Sequence, residues 1–294
     1  MRKKVSFESK GLQCSGWLYS PVELSKKAPA IVMAHGLSAV KEQALPDYAE
    51  KFAAAGFVTL VFDYRFFGES EGEPRCQLFP LEMVDDYRNA ITWVSDLPGV
   101  DPQRIGIWGT SFSGSYVLYA GTFDRRVKAV VAQVPNVATP ESRHNRSPER
   151  WETDARTMIE DRIERYRTGH VDYIKIVSAL GEPCIIPGKS AYDFFVGTQA
   201  TAPNWRNQLT RESLEKMREF DPVSSISLMS PTALLLIAGE NDELISFEAV
   251  KRVSEKAGEP KSLVAFPITH FEIYYEPWLS KAADAAVAWY TRHL

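Results

Sequence analysis

Eight short runs of apolar and β-branched residues recur along the chain: KVSFES, GWLYSP, PAIVMAHG, FVTLVFDYR, RIGIWG, VKAVVAQVP, TALLLIAGE and SLVAFP. The middle runs are continuously apolar rather than alternating, as strands buried on both faces are. Stretches with helical spacing separate them. DYAEKFAAAG ends on Gly56, a helix stop, and PLEMVDDYRNAITWVSDLPGV aligns Met83, Val84, Tyr87, Ile91 and Val94 on one stripe. SYVLYAGTF, ISFEAVKRVSEKAG and KAADAAVAWYTRHL read as helices too. This alternation predicts an α/β fold: a mostly parallel, eight-stranded sheet with helices on both faces. The first two runs closely flank KGLQCS and predict an antiparallel lead-in hairpin.

The alternation breaks between about Ala138 and Phe220. There the chain is rich in charge and aromatics, has helical periodicity and offers no clear strand, before handing back to TALLLIAGE. The expected organisation is a core of 1–137 and 221–294 with a helical cap inserted at 138–220. No internal repeat or low-complexity segment is visible.

Composition narrows the class. The 294 residues suffice for one large domain carrying an insertion, and a net charge of −4 with no basic, aromatic-interleaved run argues against nucleic acid. MRKKVSFESKG has no apolar segment behind its basic residues, and no stretch is long enough to span a bilayer. Cys14, Cys76 and Cys184 are widely spaced and read as free thiols of a cytoplasmic protein. No His/Cys cluster has metal-ligand spacing, so neither metal nor cofactor is expected.

The chemistry centres on WGTSFSG, residues 108–114, between a strand-like and a helix-like run. A dinucleotide fingerprint fails because Trp108 fills the second glycine position after Gly106. A phosphate-binding loop fails because Ser115 stands where the lysine belongs. A strained G-x-S-x-G turn fits better, with Ser111 as nucleophile, Gly109 before it and Ser113 in place of the second glycine. The plainer reading is a serine-rich helix cap.

A serine hydroxyl needs a base, and the base an orienting acid. Of five histidines, His270 in ITHFEIY follows the last strand and is the expected base. His35 in HGLSAV is expected to brace its loop by bonding loop carbonyls. Asp242 in GENDELI, past a buried strand, is the expected acid, with Glu240 and Asp63 as rivals. Asp63 is read as a structural partner of Arg65, and Asp221 as a turn residue. The oxyanion hole is expected from the backbone N–H groups of Leu37 and Phe112.

HGLSAVKE, FDYRFFGESEGEPR, WGTSFSG, GENDELI and THFEIY, in that order, resemble serine hydrolases of the α/β-hydrolase superfamily. Within it they resemble the dienelactone-hydrolase-like and polyketide-transferase-like branch of esterases, thioesterases and acyltransferases. The resemblance implies the α/β-hydrolase fold and a triad of Ser111, Asp242 and His270, with Leu37 and Phe112 as oxyanion donors. It implies a small-molecule ester or thioester substrate cleaved through an acyl-enzyme, or an acyl group passed to an alcohol or amine acceptor. Dienelactone hydrolases proper use a cysteine nucleophile, so Ser111 argues against dienelactone as substrate. The branch often has glycine where Ser115 and Phe66 stand, and the larger side chains are expected to narrow the space near the turn.

Substrate contacts are expected from Tyr64, Trp151, Tyr192 and Phe195, within a wider set of cap aromatics that includes Tyr166, Tyr173, Phe194 and Trp205. Such aromatics also serve simply to glue a cap together. The arginines of ESRHNRSPERW suit a carboxylate or a phosphopantetheine arm, though a solvated helix face is the plainer expectation. A peptidase on this fold usually carries a large extra domain, for which no segment is apparent, and a non-catalytic receptor would need a broken triad. Homo-oligomerisation is left open.

Overall fold

The computed structural model describes residues 1–21, 27–179 and 181–294. All eight apolar runs are strands: β1 (Arg2–Ser9), β2 (Leu12–Tyr19), β3 (Ala28–Ala34), β4 (Val58–Phe62), β5 (Val100–Thr110), β6 (Val127–Gln133), β9 (Ala233–Gly239) and β10 (Lys261–Phe266). They form one sheet in the order β1-β2-β4-β3-β5-β6-β9-β10. β1, β2 and β4 pair antiparallel through β2, and every pairing from β4 to β10 is parallel. VTLVF of β4 and ALLLIAG of β9 are buried at every position, which is why they lack alternation.

The helices follow the predicted stripes. α1 (Leu45–Ala54) packs against α9 (Trp278–His293), while α2 (Pro80–Ser95) packs against α3 (Phe112–Phe123), and α8 (Phe247–Lys256) lies on β9 and β10. Tyr290 of α9 pins its helix to the sheet: its ring meets Phe52 and Phe57, and its hydroxyl donates to the Ile107 carbonyl at 2.7 Å. Tyr87 of α2 is buried against Phe62.

Between β6 and β9 the chain leaves the sheet. It forms α4 (Pro140–Arg146), α5 (Pro148–Thr168), β7 (Tyr173–Ile174), α6 (Lys189–Gly197), β8 (Leu209–Thr210) and α7 (Arg211–Glu219). Thr139 caps α4 through a reciprocal box with Ser142. The small antiparallel β7–β8 pair corrects the expectation of no strand here; two residues per strand leave no periodicity to read. Asp221 then turns the chain back, accepting from the N–H groups of Val223 and Ser224. Among the described residues no helix is long and apolar enough to cross a membrane.

Candidate active site

In a parallel sheet every strand delivers its carboxyl end to the same edge, so loops distant in sequence converge there. β3 releases His35 to Lys41, β4 releases Asp63, β5 releases Ser111, β9 releases Asp242, and β10 releases His270.

Ser111 is a single residue between β5 and α3, with φ 55° and ψ −120°. That backbone is costly for a residue with a side chain and persists only where its surroundings over-determine it. The Ser111 N–H donates to the Gln133 carbonyl at 2.9 Å. Its carbonyl accepts from Gly114 at 3.0 Å and Asn136 at 2.9 Å. A Cβ on Gly109 would lie 2.4 Å from the Ser113 carbonyl oxygen, and one on Gly36 would lie 3.1 Å from Ser111 Cβ. Glycine at both positions lets the turn close and lets the β3 loop press against it.

Ser113, the departure from the glycine pattern, makes use of its hydroxyl. The Tyr87 hydroxyl donates its one proton to the Trp108 carbonyl at 2.8 Å, so Ser113 Oγ must donate to Tyr87 at 2.8 Å. Tyr64 then donates to Ser113 at 2.8 Å. This buried relay ties the turn to β5 and α2. It also accounts for Tyr64, which is fully buried beneath the turn and borders neither cavity at Ser111. As a substrate-contact candidate Tyr64 is therefore not brought to the site.

The imidazole of His270 spans the gap between the other two groups. Nδ1 lies 2.7 Å from Asp242 Oδ2, and Nε2 lies 3.0 Å from Ser111 Oγ. Asp242 Oδ1 accepts from the N–H groups of Leu244 and Ile245, both at 2.8 Å, which fixes the carboxylate plane. An ionised carboxylate only accepts, so Nδ1 carries the proton and Nε2 presents its lone pair to the serine. Glu243 holds the backbone of His270, accepting from its N–H at 3.0 Å and from Ser190 at 2.7 Å. Glu240, one rival acid, is exposed and apart from the imidazole.

Leu37 and Phe112, the expected oxyanion donors, both border the larger cavity together with Ser111. Phe112 is the first residue of α3 and has no intrahelical acceptor, and Leu37 N–H finds none among the described residues. His35 braces the loop as expected. Nδ1 lies 3.0 Å from the Gly36 carbonyl, which can only accept, so Nδ1 is protonated. Burial pushes the His35 imidazole down to about 4, so it stays neutral.

Asp63 is not the partner of Arg65 that the sequence suggests. Arg65 pairs with Asp86 of α2 at 2.6 Å, while Asp63 pairs with Lys41, a residue the motif reading passed over. Once the chain leaves β4 at Phe62, the carboxylate faces the β3 loop instead of running along its own strand. Lys41 Nζ is fully buried 2.6 Å from Asp63, 2.8 Å from Glu69 and 2.9 Å from Glu42, and its N–H donates to Asp63 Oδ1 at 2.7 Å. Burial alone would lower the Lys41 ammonium, but these carboxylates outweigh it and hold the charge in place. The cluster clamps the loop that carries Leu37.

Two cavities meet at Ser111. The smaller, about 30 Å³, is walled by Leu45, Phe194, Phe195, Phe271 and Tyr274. The larger, about 560 Å³, lies under α4, α5 and α7 and takes in Leu37, Phe112, Trp151, Met158 and Met217. Of the aromatic candidates, Phe195 joins the smaller cavity and Trp151 the larger; Tyr192 borders neither. Trp205 stacks behind Phe195 and Tyr166 is exposed. Ser115 and Phe66 border neither cavity, so they do not narrow the site. Ser115 instead donates to the Asn136 carbonyl, and Phe66 sits at φ 74°, which accounts for glycine being common there.

The model of the X-Pro dipeptidyl-peptidase (S15) family matches residues 11–272. The chain belongs to that family. The S15-family chain is 34% identical over 240 residues to the thiohydrolase aneE of Aspergillus aculeatus, covering 79% of this chain and 74% of that protein. It is 30% identical over 283 residues to the polyketide transferase claH of Penicillium crustosum, covering 92% and 91%. The crystal structure of the α/β hydrolase GrgF from a Penicillium species superposes with a TM-score of 0.86 at 26% identity, covering 100% of this chain and 99% of that one. The fold is that of the α/β hydrolases, and the chain falls in their esterase and acyltransferase branch.

Two stability outcomes follow for this chain. Replacing Lys41 by Met strands the carboxylates of Asp63 and Glu42, while Glu69 keeps Lys4, and should cost about 3–5 kcal/mol in urea unfolding. His35 has a pKa near 4 folded against an unfolded value near 6.5, so the unfolded state binds the extra proton between those pH values. Stability should therefore be full above pH 6.5 and fall by roughly 2 kcal/mol on acidification to about pH 4.5, and the His35→Asn variant should lack that component.

Proposed function

We propose that the chain is a serine hydrolase that cleaves carboxylic ester or thioester bonds of small molecules through an acyl-enzyme on Ser111. The single observation that carries this reading is His270, hydrogen-bonded to Asp242 on one ring nitrogen and to Ser111 on the other. In the first step Ser111 Oγ attacks the acyl carbon while its proton passes to His270 Nε2. Asp242 stabilises the imidazolium that forms and keeps the ring aligned. The N–H groups of Leu37 and Phe112 receive the charge that develops on the carbonyl oxygen. His270 then returns the proton to the leaving alcohol or thiol. In the second step water, deprotonated by the same nitrogen, releases the acid.

The segment 138–220 acts as a cap that shapes the substrate chamber, over a core of 1–137 and 221–294. Transfer of the acyl group to an alcohol or amine is the second reading. The larger cavity supports it, since about 560 Å³ leaves room for an acceptor beside the acyl group, and the relative claH is named a polyketide transferase. Release of dipeptides, for which the family is named, fits less well. Such an enzyme must hold a protonated amine, and the larger cavity is bordered by five arginines against one carboxylate, Asp154. Three free cysteines fit a reducing compartment, the cytoplasm.

A fluorophosphonate probe should label the wild type and not Ser111→Ala; failure to label the wild type, or equal labelling of the variant, would end the reading. Asp242→Asn should lower kcat by about 10⁴-fold with KM little changed, because the wrong imidazole tautomer then faces the serine. A panel of p-nitrophenyl esters and acyl thioesters, assayed with and without alcohol acceptors, separates hydrolysis from transfer.

A further inference from the structure

The charged border of the larger cavity is nearly of one sign. Arg143 and Arg146 come from α4, Arg150 from α5, and Arg211 and Arg218 from α7. Two of these have carboxylate neighbours: Arg150 lies 3.7 Å from Asp154, and Arg211 lies 2.7 Å from Asp172. Arg143, Arg146 and Arg218 have no carboxylate in salt-bridge range among the described residues.

Two of the three are fixed in direction. Arg143 Nη1 donates to the carbonyls of Arg218 at 3.2 Å and Phe220 at 3.1 Å. Arg218 Nη1 donates to the Trp151 carbonyl at 2.7 Å, and its guanidinium lies 3.4 Å over the Trp151 ring. Carbonyl oxygens and an indole face orient a guanidinium but supply no counter-charge. Each guanidinium has five N–H donors, so most remain free for a ligand. Arg143 bears the consequence most heavily: burial pushes it down to about 10, Asp221 opposing that push and Arg146 adding to it. A solvated helix face does not hold Arg143 and Arg218 this way; Arg146 beside them is exposed. These side chains border a chamber that ends at Ser111 and Phe112.

We propose that Arg143, Arg146 and Arg218 form an anion-binding subsite, so that the substrate carries a carboxylate or phosphate on the arm that fills the larger cavity. This deepens the reading of Ser111 as nucleophile and rests on it. Planar guanidinium forks pair with either anion through two parallel hydrogen bonds. The smaller cavity, walled by Leu45, Phe194, Phe271 and Tyr274, takes only a short apolar group on the other side of the scissile carbonyl. The substrate is thus asymmetric: compact and apolar on one side, long and anionic on the other.

Titration calorimetry on the Ser111→Ala protein tests this without turnover. Two matched pairs serve as probes: butyryl-coenzyme A against the neutral butyryl-N-acetylcysteamine, and monomethyl pimelate against methyl heptanoate. At low salt at least one anionic member should bind about tenfold or more tightly than its neutral partner, and the gap should shrink as salt rises. Preference confined to the coenzyme A pair assigns a phosphate, and preference confined to the pimelate pair assigns a carboxylate. Adding Arg146→Gln, whose exposed side chain makes no hydrogen bond or salt bridge among the described residues, should remove a large part of the gap, and Arg143→Gln with it most of the rest. Equal binding within both pairs, or a gap unchanged by the arginine substitutions, overturns the subsite. Because binding is read directly, that result alongside a wild type labelled by fluorophosphonate leaves the nucleophile standing. An unlabelled wild type strikes the nucleophile instead.

Discussion

The backbone of Ser111 is the constraint on which the rest of the site depends. A side-chain-bearing residue at φ 55° and ψ −120° has no stable place in a strand or a helix, and here it separates one from the other. The turn lifts the hydroxyl clear of the sheet edge and leaves the first N–H of α3 unpaired beside it. The proposed nucleophile and one of its proposed anion-stabilising donors thus come from a single local conformation. Hydrogen bonds to Gln133 and Asn136 on the β6 side and close packing at Gly36 and Gly109 hold that conformation from several directions. Below it, the Tyr64–Ser113–Tyr87–Trp108 relay gives the turn a floor of satisfied hydroxyls where glycine would have left only backbone.

Two carboxylates at the same sheet edge show how environment divides labour. Asp63 and Asp242 both follow buried strands, and from sequence either was eligible as the orienting acid. Asp63 is saturated by Lys41 Nζ and by the N–H groups of Lys41 and Glu69, so its charge is spent on holding the β3 loop. Asp242 anchors one oxygen on two backbone N–H groups and leaves the other for His270. The first builds the wall that presents Leu37; the second sets a tautomer. Two further contacts complete the arrangement. His35 stays unprotonated in its buried loop, and Glu243 fixes the base through the backbone rather than the ring.

Much of this was legible in the sequence because strand order carries it. Continuous apolar runs marked the buried strands, and in a parallel sheet the residues after each run must meet at one edge. Ser111, Asp242 and His270 could therefore be picked out by position. What was not legible depended on side chains reaching between loops. A lysine at position 41 reads as a surface residue until a carboxylate is seen to receive it. Ser113 reads as a tolerated replacement until two tyrosines are found around it, and Tyr64 reads as a substrate contact until it is found beneath the turn. In the segment between β6 and β9, strands of two residues have no period, and an aromatic there can face a cavity, as Trp151 does, or none, as with Tyr192.

The same division explains how a family named for peptidases includes a chain with this cavity. The proposed nucleophile, base, acid and two N–H donors all lie at the sheet edge, and none of these distinguishes an ester, a thioester or an amide. That distinction lies in what borders the approach to Ser111, and most of the larger cavity's border comes from the segment between β6 and β9. A peptide amino terminus is a cation and asks for carboxylates; five arginines and one aspartate present the opposite field. The arginines of α4, α5 and α7 set that field, whereas the hydrogen bonds and close contacts that hold the strained turn come from β5, β6, α2 and the loops after β3 and β4. Chemistry and choice of substrate are thus carried by different parts of the chain, and the charge of the larger cavity belongs to the second.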